Sequence, residues 1–241
     1  MKFNLFRKRS SDINGPQKTN HPEFFTELIA SDNGTGAITL TMRDPDTRTF
    51  AIFPAIDLLL RSSEDMERRA DELRSKGVDN ADLPVVEPLV DGVVATFGIE
   101  QPDSYTLLSD SMLRNERLRP AMARTGALTR LRQASQYLKL EGGAGRLRVK
   151  YEENLDLTAS FLLVADEWLA SDKFDGEPVF AIGTRVSIHV CGSGDAESLA
   201  GLAQIAETMY HESAQDPVNN GRPVTPRLLT IRDGELAFFE A

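Results

Sequence analysis

The sequence predicts an α+β protein, with antiparallel or mixed sheets built from β-hairpins and helices packed on one face. Three observations lead to this prediction. Short segments alternate apolar and polar side chains with the period of two that is typical of a half-buried strand. Turn signals separate neighbouring strands, the clearest being Asp233-Gly234. Stretches with apolar residues three and four apart, preceded by capping side chains, predict amphipathic helices.

The first half is predicted to combine hairpins with short helices. The expected elements are a helix over 22–30, a hairpin of strands 38–42 and 49–53, and a helical stretch over 56–61. The next helix is expected to begin at Ser62 or Ser63, because either hydroxyl can cap it. Its end is expected at Gly77, since a glycine commonly follows the last turn of a helix.

Residues 78–90 carry Pro84 and Pro88, and two interpretations stay open for them. They form a linker between two halves, or an edge strand that tolerates proline. At roughly 100–200 residues per domain, the chain of 241 residues allows one large domain or two small ones. The chain is predicted to divide into a flexible basic tail (1–20), an N-terminal hairpin-helix subdomain (21–90) and a C-terminal α+β domain (91–241). The alternative is that the last two form one continuous unit.

The second half has the more regular pattern. Its predicted strands are 93–100, 104–108, 146–151, 179–182, 185–190, 228–232 and 235–239. Its predicted helices cover 109–136 (interrupted at Pro120 and Gly126), 156–171 with Asp156 as the cap, and a stretch that Asp195 caps. Strand 146–151 alternates apolar residues with Arg146, Arg148 and Lys150, which predicts a basic outer face.

Composition and charge narrow the possible functions. The net charge of −10 argues against nonspecific binding to nucleic acid. A single cysteine, Cys191, excludes an intrachain disulfide and fits a reducing compartment. No run of about 18 apolar residues occurs, so no transmembrane helix is expected. The three histidines are too scattered to predict a metal site. We therefore expect a soluble cytoplasmic protein without a cofactor.

Residues 1–20 differ from the rest of the chain. They carry five basic side chains and one acidic one, a net charge of about +4. Ser, Asn, Gly and Pro dominate residues 10–20, which is typical of a mobile tail. Binding of a membrane surface or a partner through Phe3, Leu5 and Phe6 stays open as an alternative. A stable anchor generally needs more apolar length or a lipid.

The segment 188–195 reads as a strand, a glycine turn and the start of a helix. Such a turn can present backbone N–H groups to a phosphate, so Gly192 and Gly194 are candidate anion-binding residues. The segment matches no dinucleotide or P-loop pattern, and Asp195 would repel an anion. His189 and Cys191 share one face of the strand, but no third residue is evident that would orient them as a catalytic pair.

An arginine-rich stretch is the other candidate anion or partner site. It consists of Arg114, Arg117, Arg119, Arg124, Arg130 and Arg132, and Arg146, Arg148 and Lys150 follow later. Arginine forks suit phosphate or an acidic protein. The alternative is simple charge balance against the many acidic residues. Because only two tyrosines lie nearby, RNA binding is not expected.

Three segments carry a resemblance to a known family. They are 154–160 (NLDLTAS) at the start of the long helix, 222–225 (RPVT) with 233–236 (DGEL) in the last hairpin, and 104–113 (SYTLLSDSML). On these segments the chain, over about 90–241, resembles a bacterial family of uncharacterised proteins, domain of unknown function 1444. The resemblance implies a bacterial cytoplasmic protein with a compact second half, and it implies no catalytic residues.

The sequence contains none of the usual catalytic motifs of hydrolases, zinc proteases or thiol oxidoreductases. The leading hypothesis is therefore a noncatalytic interaction or regulatory protein whose partner has an acidic surface, or which self-associates through sheet edges. One alternative is a binder or enzyme of a phosphorylated small molecule near Cys191–Asp195. Another is an immunity-type protein that neutralises a toxin.

Overall fold

A computed structural model describes residues 28–32, 38–43, 50–53, 56–101, 104–115, 119–143, 145–170 and 173–240. The predicted basic tail, 1–20, lies outside the described residues. Thirteen strands in the described part form three sheets, and every pairing among them is antiparallel. The predicted α+β class with antiparallel sheets is thus confirmed.

The first sheet has the strand order β1-β2-β3. Its strands are β1 (Leu28–Asp32), β2 (Ile38–Arg43) and β3 (Phe50–Phe53). The pairing of β2 with β3 confirms the predicted first hairpin. The helix predicted over 22–30 is wrong in its described part, because β1 pairs with β2 along its whole length. Pairing with a neighbouring strand overrides a weak local preference for helix.

The second sheet is built around a central strand. Its members are β4 (Ile56–Ser62), β5 (Val86–Val90), β6 (Val93–Gln101) and β7 (Ser104–Leu107). β4 pairs along one side of β6, and β5 and β7 share the other side. The predicted second hairpin is therefore confirmed. For residues 78–90 the edge-strand interpretation is confirmed, since β5 pairs with β6 and carries Pro88 at the edge.

The helical stretch predicted over 56–61 is wrong, because these residues belong to strand β4. All seven residues of β4 are buried. A continuous apolar run has no alternation, so its period does not distinguish a buried strand from a buried helix. The β4–β6 pairing also joins the two sides of the predicted domain boundary at 90/91.

The third sheet has the order β13-β12-β10-β11-β9-β8. Its strands are β8 (Lys139–Gly143), β9 (Arg146–Lys150), β10 (Pro178–Ala181), β11 (Ile188–Gly192), β12 (Leu229–Arg232) and β13 (Glu235–Phe238). Asp233 and Gly234 have φ of 54° and 80°, as a tight hairpin turn requires, so the last predicted hairpin is confirmed. No strand was predicted at β8, because this segment has only one apolar side chain.

The start of the strand predicted over 185–190 is wrong, because β11 begins only at Ile188. The backbone N–H of Arg185 instead donates to the carbonyl oxygen of Arg222 at 3.1 Å. Residues 182–187 thus bond to other loops and leave the β10–β11 ladder.

Four α-helices have the bounds α1 (Ser63–Ser75), α2 (Asp110–Asn115), α3 (Pro120–Ala134) and α4 (Ala196–Gln215). The Ser62 hydroxyl caps α1 and the Asp195 carboxylate caps α4, as predicted. Gly126 does not interrupt a helix, because it lies buried within the continuous helix α3. None of the described helices is long and apolar enough to cross a membrane.

Three 3₁₀ helices cover Asn80–Asp82, Ser135–Tyr137 and Leu155–Glu167. The last replaces the α-helix predicted over 156–171. Asp156 does not cap it, because its carboxylate pairs with Arg185. The segment is buried along much of its length and packs against the free edge of β4, where the Ser160 hydroxyl accepts the Leu60 N–H at 3.1 Å.

Candidate functional site

A row of three positive charges lies on one face of β9. Arg146, Arg148 and Lys150 alternate there with Leu147 and Val149, which pack into the main hydrophobic core. Because successive side chains of a strand point to opposite faces, the three cations share one face. We call this row the basic face.

α4 covers the neighbouring strands on the same side of the sheet. Arg146 lies opposite Cys191 and Arg148 lies opposite His189 in the β9–β11 register, and opposed residues share a face. Cys191 packs with Leu202 of α4 in a small hydrophobic cluster. α4 therefore lies over β10 and β11 and leaves the basic face beside it.

A groove of about 200 Å³ lies between α4 and the basic face. Arg146, Arg148 and Glu141 provide charged lining, and Leu202 and Ile205 of α4 provide an apolar wall. Pockets that hold drug-sized ligands have volumes of roughly 300–1,000 Å³. The groove is smaller than that, so it suits side chains of a partner better than a whole metabolite.

The cations beside the groove differ in their partners. Arg146 Nε donates to Ser198 Oγ at 2.7 Å, and Lys150 Nζ lies 3.9 Å from Glu141 Oε2. Arg148 is exposed, and its side chain makes no hydrogen bond or ion pair with any residue that the structure describes. Arg148 is thus the cation most available to a partner.

His189 and Cys191 do not form an activated pair. Burial, together with the charges of Arg148 and Lys150, lowers the pKa of His189 to about 4. Burial raises the pKa of the Cys191 thiol. At neutral pH both side chains are uncharged, whereas a nucleophilic cysteine needs a lowered pKa.

The turn that contains Gly192 and Gly194 uses its own backbone donors. The N–H of Gly194 donates to the Asp175 carbonyl oxygen at 2.8 Å, and the N–H of Ser193 donates to the Glu177 carbonyl oxygen at 2.9 Å. A Cβ at Gly192 or Gly194 would collide with Asp175, which accounts for both glycines. These two N–H groups are therefore already hydrogen-bonded within the protein, whereas a bound phosphate would need them as free donors.

The predicted arginines of α2 and α3 pair with carboxylates. The Arg114–Asp110 and Arg124–Glu87 pairs have N–O distances of 2.7 Å, and the Arg132–Glu167 pair has 3.2 Å. None of these arginines lines the groove beside α4. Arg117 lies outside the described residues. The structure thus does not bring this arginine stretch and the glycine turn into one groove.

Arg130 belongs to a buried polar cluster that the sequence analysis did not identify. Its Nε lies 3.4 Å from Asp57 Oδ1, and the Tyr105 hydroxyl donates to Asp57 Oδ2 at 3.0 Å. Asn154 Nδ2 donates to the Tyr105 hydroxyl oxygen at 2.6 Å. Burial raises the pKa of Asp57 to about 6, although Arg130 and Tyr105 act against this rise. The sequence signal that could have identified this cluster is Asp57, a single carboxylate in the apolar run 55–60.

No group of three or more His, Cys, Asp or Glu side chains in the described ranges has the arrangement of a metal site. Comparison with protein-family models, with curated proteins and with solved structures finds no match for this chain. The resemblance to domain of unknown function 1444 stays a prediction.

Proposed function

We propose that this protein is a noncatalytic interaction protein that binds an acidic segment of another protein in the groove between α4 and the basic face. The observation that carries the proposal is Arg148, an exposed cation without a partner among the described residues, beside a groove that also has an apolar wall. An immunity-type protein that binds a toxin would be one case of this function.

Local charge supports an acidic partner. The chain as a whole carries −10, so it repels acidic proteins except where positive charge is concentrated. The lowered pKa of His189 reflects, after burial, the positive field of Arg148 and Lys150 at this place. Complementary charge of this kind steers association and selects partners.

A protein segment fits the groove better than a single-stranded nucleic acid does. Nucleic-acid grooves commonly add aromatic side chains on which bases stack. The described lining of this groove includes no Phe, Tyr or Trp, and its apolar part consists of aliphatic side chains such as Leu202 and Ile205. Aliphatic walls beside arginines suit a peptide with mixed acidic and apolar residues.

The test is binding of a fluorescein-labelled decaglutamate peptide, followed by fluorescence anisotropy at low and moderate salt. The wild type is expected to bind at low salt and to weaken as salt screens the charges. Arg148→Glu is expected to weaken binding at least roughly tenfold, since it replaces attraction by repulsion at the groove.

Arg114→Glu provides the matched control, because it makes the same charge change at an exposed position on α2. It is expected to bind like the wild type. Loss of binding in this variant instead would move the site to the predicted arginine stretch of α2 and α3. The proposal fails if the wild type does not bind, if Arg148→Glu binds unchanged, or if a decamer oligonucleotide binds more tightly. Concentration-dependent dimers that exclude the peptide would favour self-association through β8, whose five residues are all exposed.

A further inference from the structure

Three arginines from separate parts of the chain meet at the end of β4. The backbone N–H of Arg185 donates to the carbonyl oxygen of Arg222 at 3.1 Å, and Ala159 N–H donates to the Arg185 carbonyl oxygen at 2.9 Å. The backbone N–H just before Arg61 donates to Ser160 Oγ at 3.1 Å. These bonds hold β4, the long 3₁₀ helix and two loops together around the three side chains.

Arg61 is a buried cation without a carboxylate partner among the described residues. It is 3% exposed, and the one hydrogen bond that it makes to a described residue runs from Nη1 to the Leu60 carbonyl oxygen at 3.0 Å. No described carboxylate lies within 4.0 Å of its guanidinium nitrogens. A buried charge is strongly unfavourable unless an opposite charge and hydrogen bonds compensate it. The position therefore calls for an anion.

The two nearest carboxylates are engaged by other arginines. Asp156 Oδ2 lies 2.5 Å from Arg185 Nη2, and Asp65 Oδ1 lies 3.3 Å from Arg222 Nη1. Asp65 also pairs with Arg68 at the surface of α1. Positive charge thus remains in excess at this place.

Further donors at the same place have no partner. Arg185 Nε and Ser187 Oγ are buried and make no hydrogen bond to any residue the structure describes. Ser187 is 1% exposed, so water does not reach it freely. Burial, followed by the charge of Arg185, lowers the pKa of Arg61 to about 9, so Arg61 still carries its proton at neutral pH. Buried donors without partners are rare in native proteins.

We infer that Arg61, Arg185 and Arg222 form a binding site for one tetrahedral oxyanion, either free phosphate or the terminal phosphoryl group of a small metabolite. Guanidinium forks match the spacing of phosphoryl oxygens, and three of them around one group give charge-assisted hydrogen bonds. The Arg222 side chain is 37% exposed, so the site opens to solvent on that side. This site is separate from the basic face and does not depend on the proposed function.

The experiment measures the melting temperature of the full chain during titration with sodium phosphate, with chloride adjusted to keep ionic strength constant. The wild type is expected to show a saturable rise, because a ligand that binds only the folded state stabilises it. Arg222→Gln removes one fork at the open side, and its half-saturating phosphate concentration is expected to rise at least roughly tenfold. Glucose 6-phosphate in a second arm distinguishes a phosphoryl ester from the free ion.

Arg61→Met separates binding from a structural role. Without phosphate, this variant is expected to unfold at the same urea concentration as the wild type or a higher one, since an apolar side chain of similar volume replaces an unpaired charge. Its phosphate response is expected to be lost. Arg148→Gln, on the basic face, is the control that should respond like the wild type.

The inference is overturned if phosphate and glucose 6-phosphate both give no saturable rise in the wild type. It is also overturned if Arg148→Gln loses the response as fully as Arg222→Gln does, because the effect would then come from general charge. If Arg61→Met does not fold, the Arg222→Gln titration alone decides the matter.

Discussion

β4 and β9 both carry charge, but in opposite settings. β4 is buried along all seven residues, with Asp57 and Arg61 enclosed among leucines. β9 buries one row of side chains and leaves Arg146 and Arg148 exposed on the other face. On β4, Asp57 depends on Arg130 and Tyr105 from distant parts of the chain. Arg61 has no carboxylate within 4.0 Å among the described residues. The charges of β9 are exposed and need no such partner.

The difference between the two strands shows how burial changes the effect of a charged side chain on protein stability. Burial raises the pKa of Asp57 to about 6 and lowers that of Arg61 to about 9, in each case against the charged form. An exposed cation is free to contribute to binding without a comparable effect on stability. Four predictions test this contrast.

Arg130→Met should have the largest effect on stability. It leaves the Asp57 carboxylate buried with the Tyr105 hydroxyl but without its cation, which costs about 3–5 kcal/mol of unfolding free energy at pH 7. The cost should shrink at pH 5, where Asp57 takes up a proton. Urea unfolding measures both values. Arg132→Met on the same helix breaks the exposed pair with Glu167 and should cost less than about 1 kcal/mol. Equal losses of unfolding free energy in Arg130→Met and Arg132→Met would refute the contrast between buried and exposed charges.

Asp57 should also make stability depend on pH in a defined window. In the folded protein it holds its proton up to about pH 6, whereas an unfolded aspartate loses it near 3.8. Its contribution is present below about pH 4 and is lost as the pH rises to 6, by roughly 3 kcal/mol at about 1.4 kcal/mol per pKa unit. The unfolding free energies of wild type and Asp57→Asn, compared from pH 4 to 7, measure this loss. A difference that is constant over that range would contradict it.

Asp195 is expected to affect both stability and binding, since it caps α4 and borders the basic face. Asp195→Ala should lower the free energy of unfolding modestly, because the Ser198 N–H loses its acceptor. The same variant should bind the decaglutamate peptide more tightly, since a negative charge near Arg146 is removed. Asp195→Asn keeps a cap, and it should retain stability while gaining affinity. Unchanged peptide affinity in both variants would place the peptide away from Arg146.

Arg148→Gln should have the smallest effect on stability, within about 0.5 kcal/mol of the wild type, because its side chain is exposed and makes no described contact. Urea unfolding at low salt checks this value, and the peptide titration should show weakened binding in the same sample. A large loss of stability would show that the basic face has a structural role.

Local signals in the sequence identified the elements that depend on neighbouring residues. Ser62 and Asp195 cap helices as predicted, since capping joins side chain and backbone only three residues apart. β4 was misassigned because its neighbour β6 lies about 30 residues away along the chain. Of the two candidate anion sites predicted from local pattern, the glycine turn uses its backbone donors within the protein. In the arginine stretch, Arg114, Arg124 and Arg132 pair with carboxylates.

By itself the sequence determined the α+β class, several hairpins and helix starts, and the basic alternation of β9, because each of these follows from side chains a few residues apart. Only the tertiary structure decided which charges meet. It placed Asp57 with Arg130 and gathered Arg61, Arg185 and Arg222 at one end of β4. The physical reason is that burial and pairing depend on segments far apart along the chain, and local periodicity carries no information about such contacts.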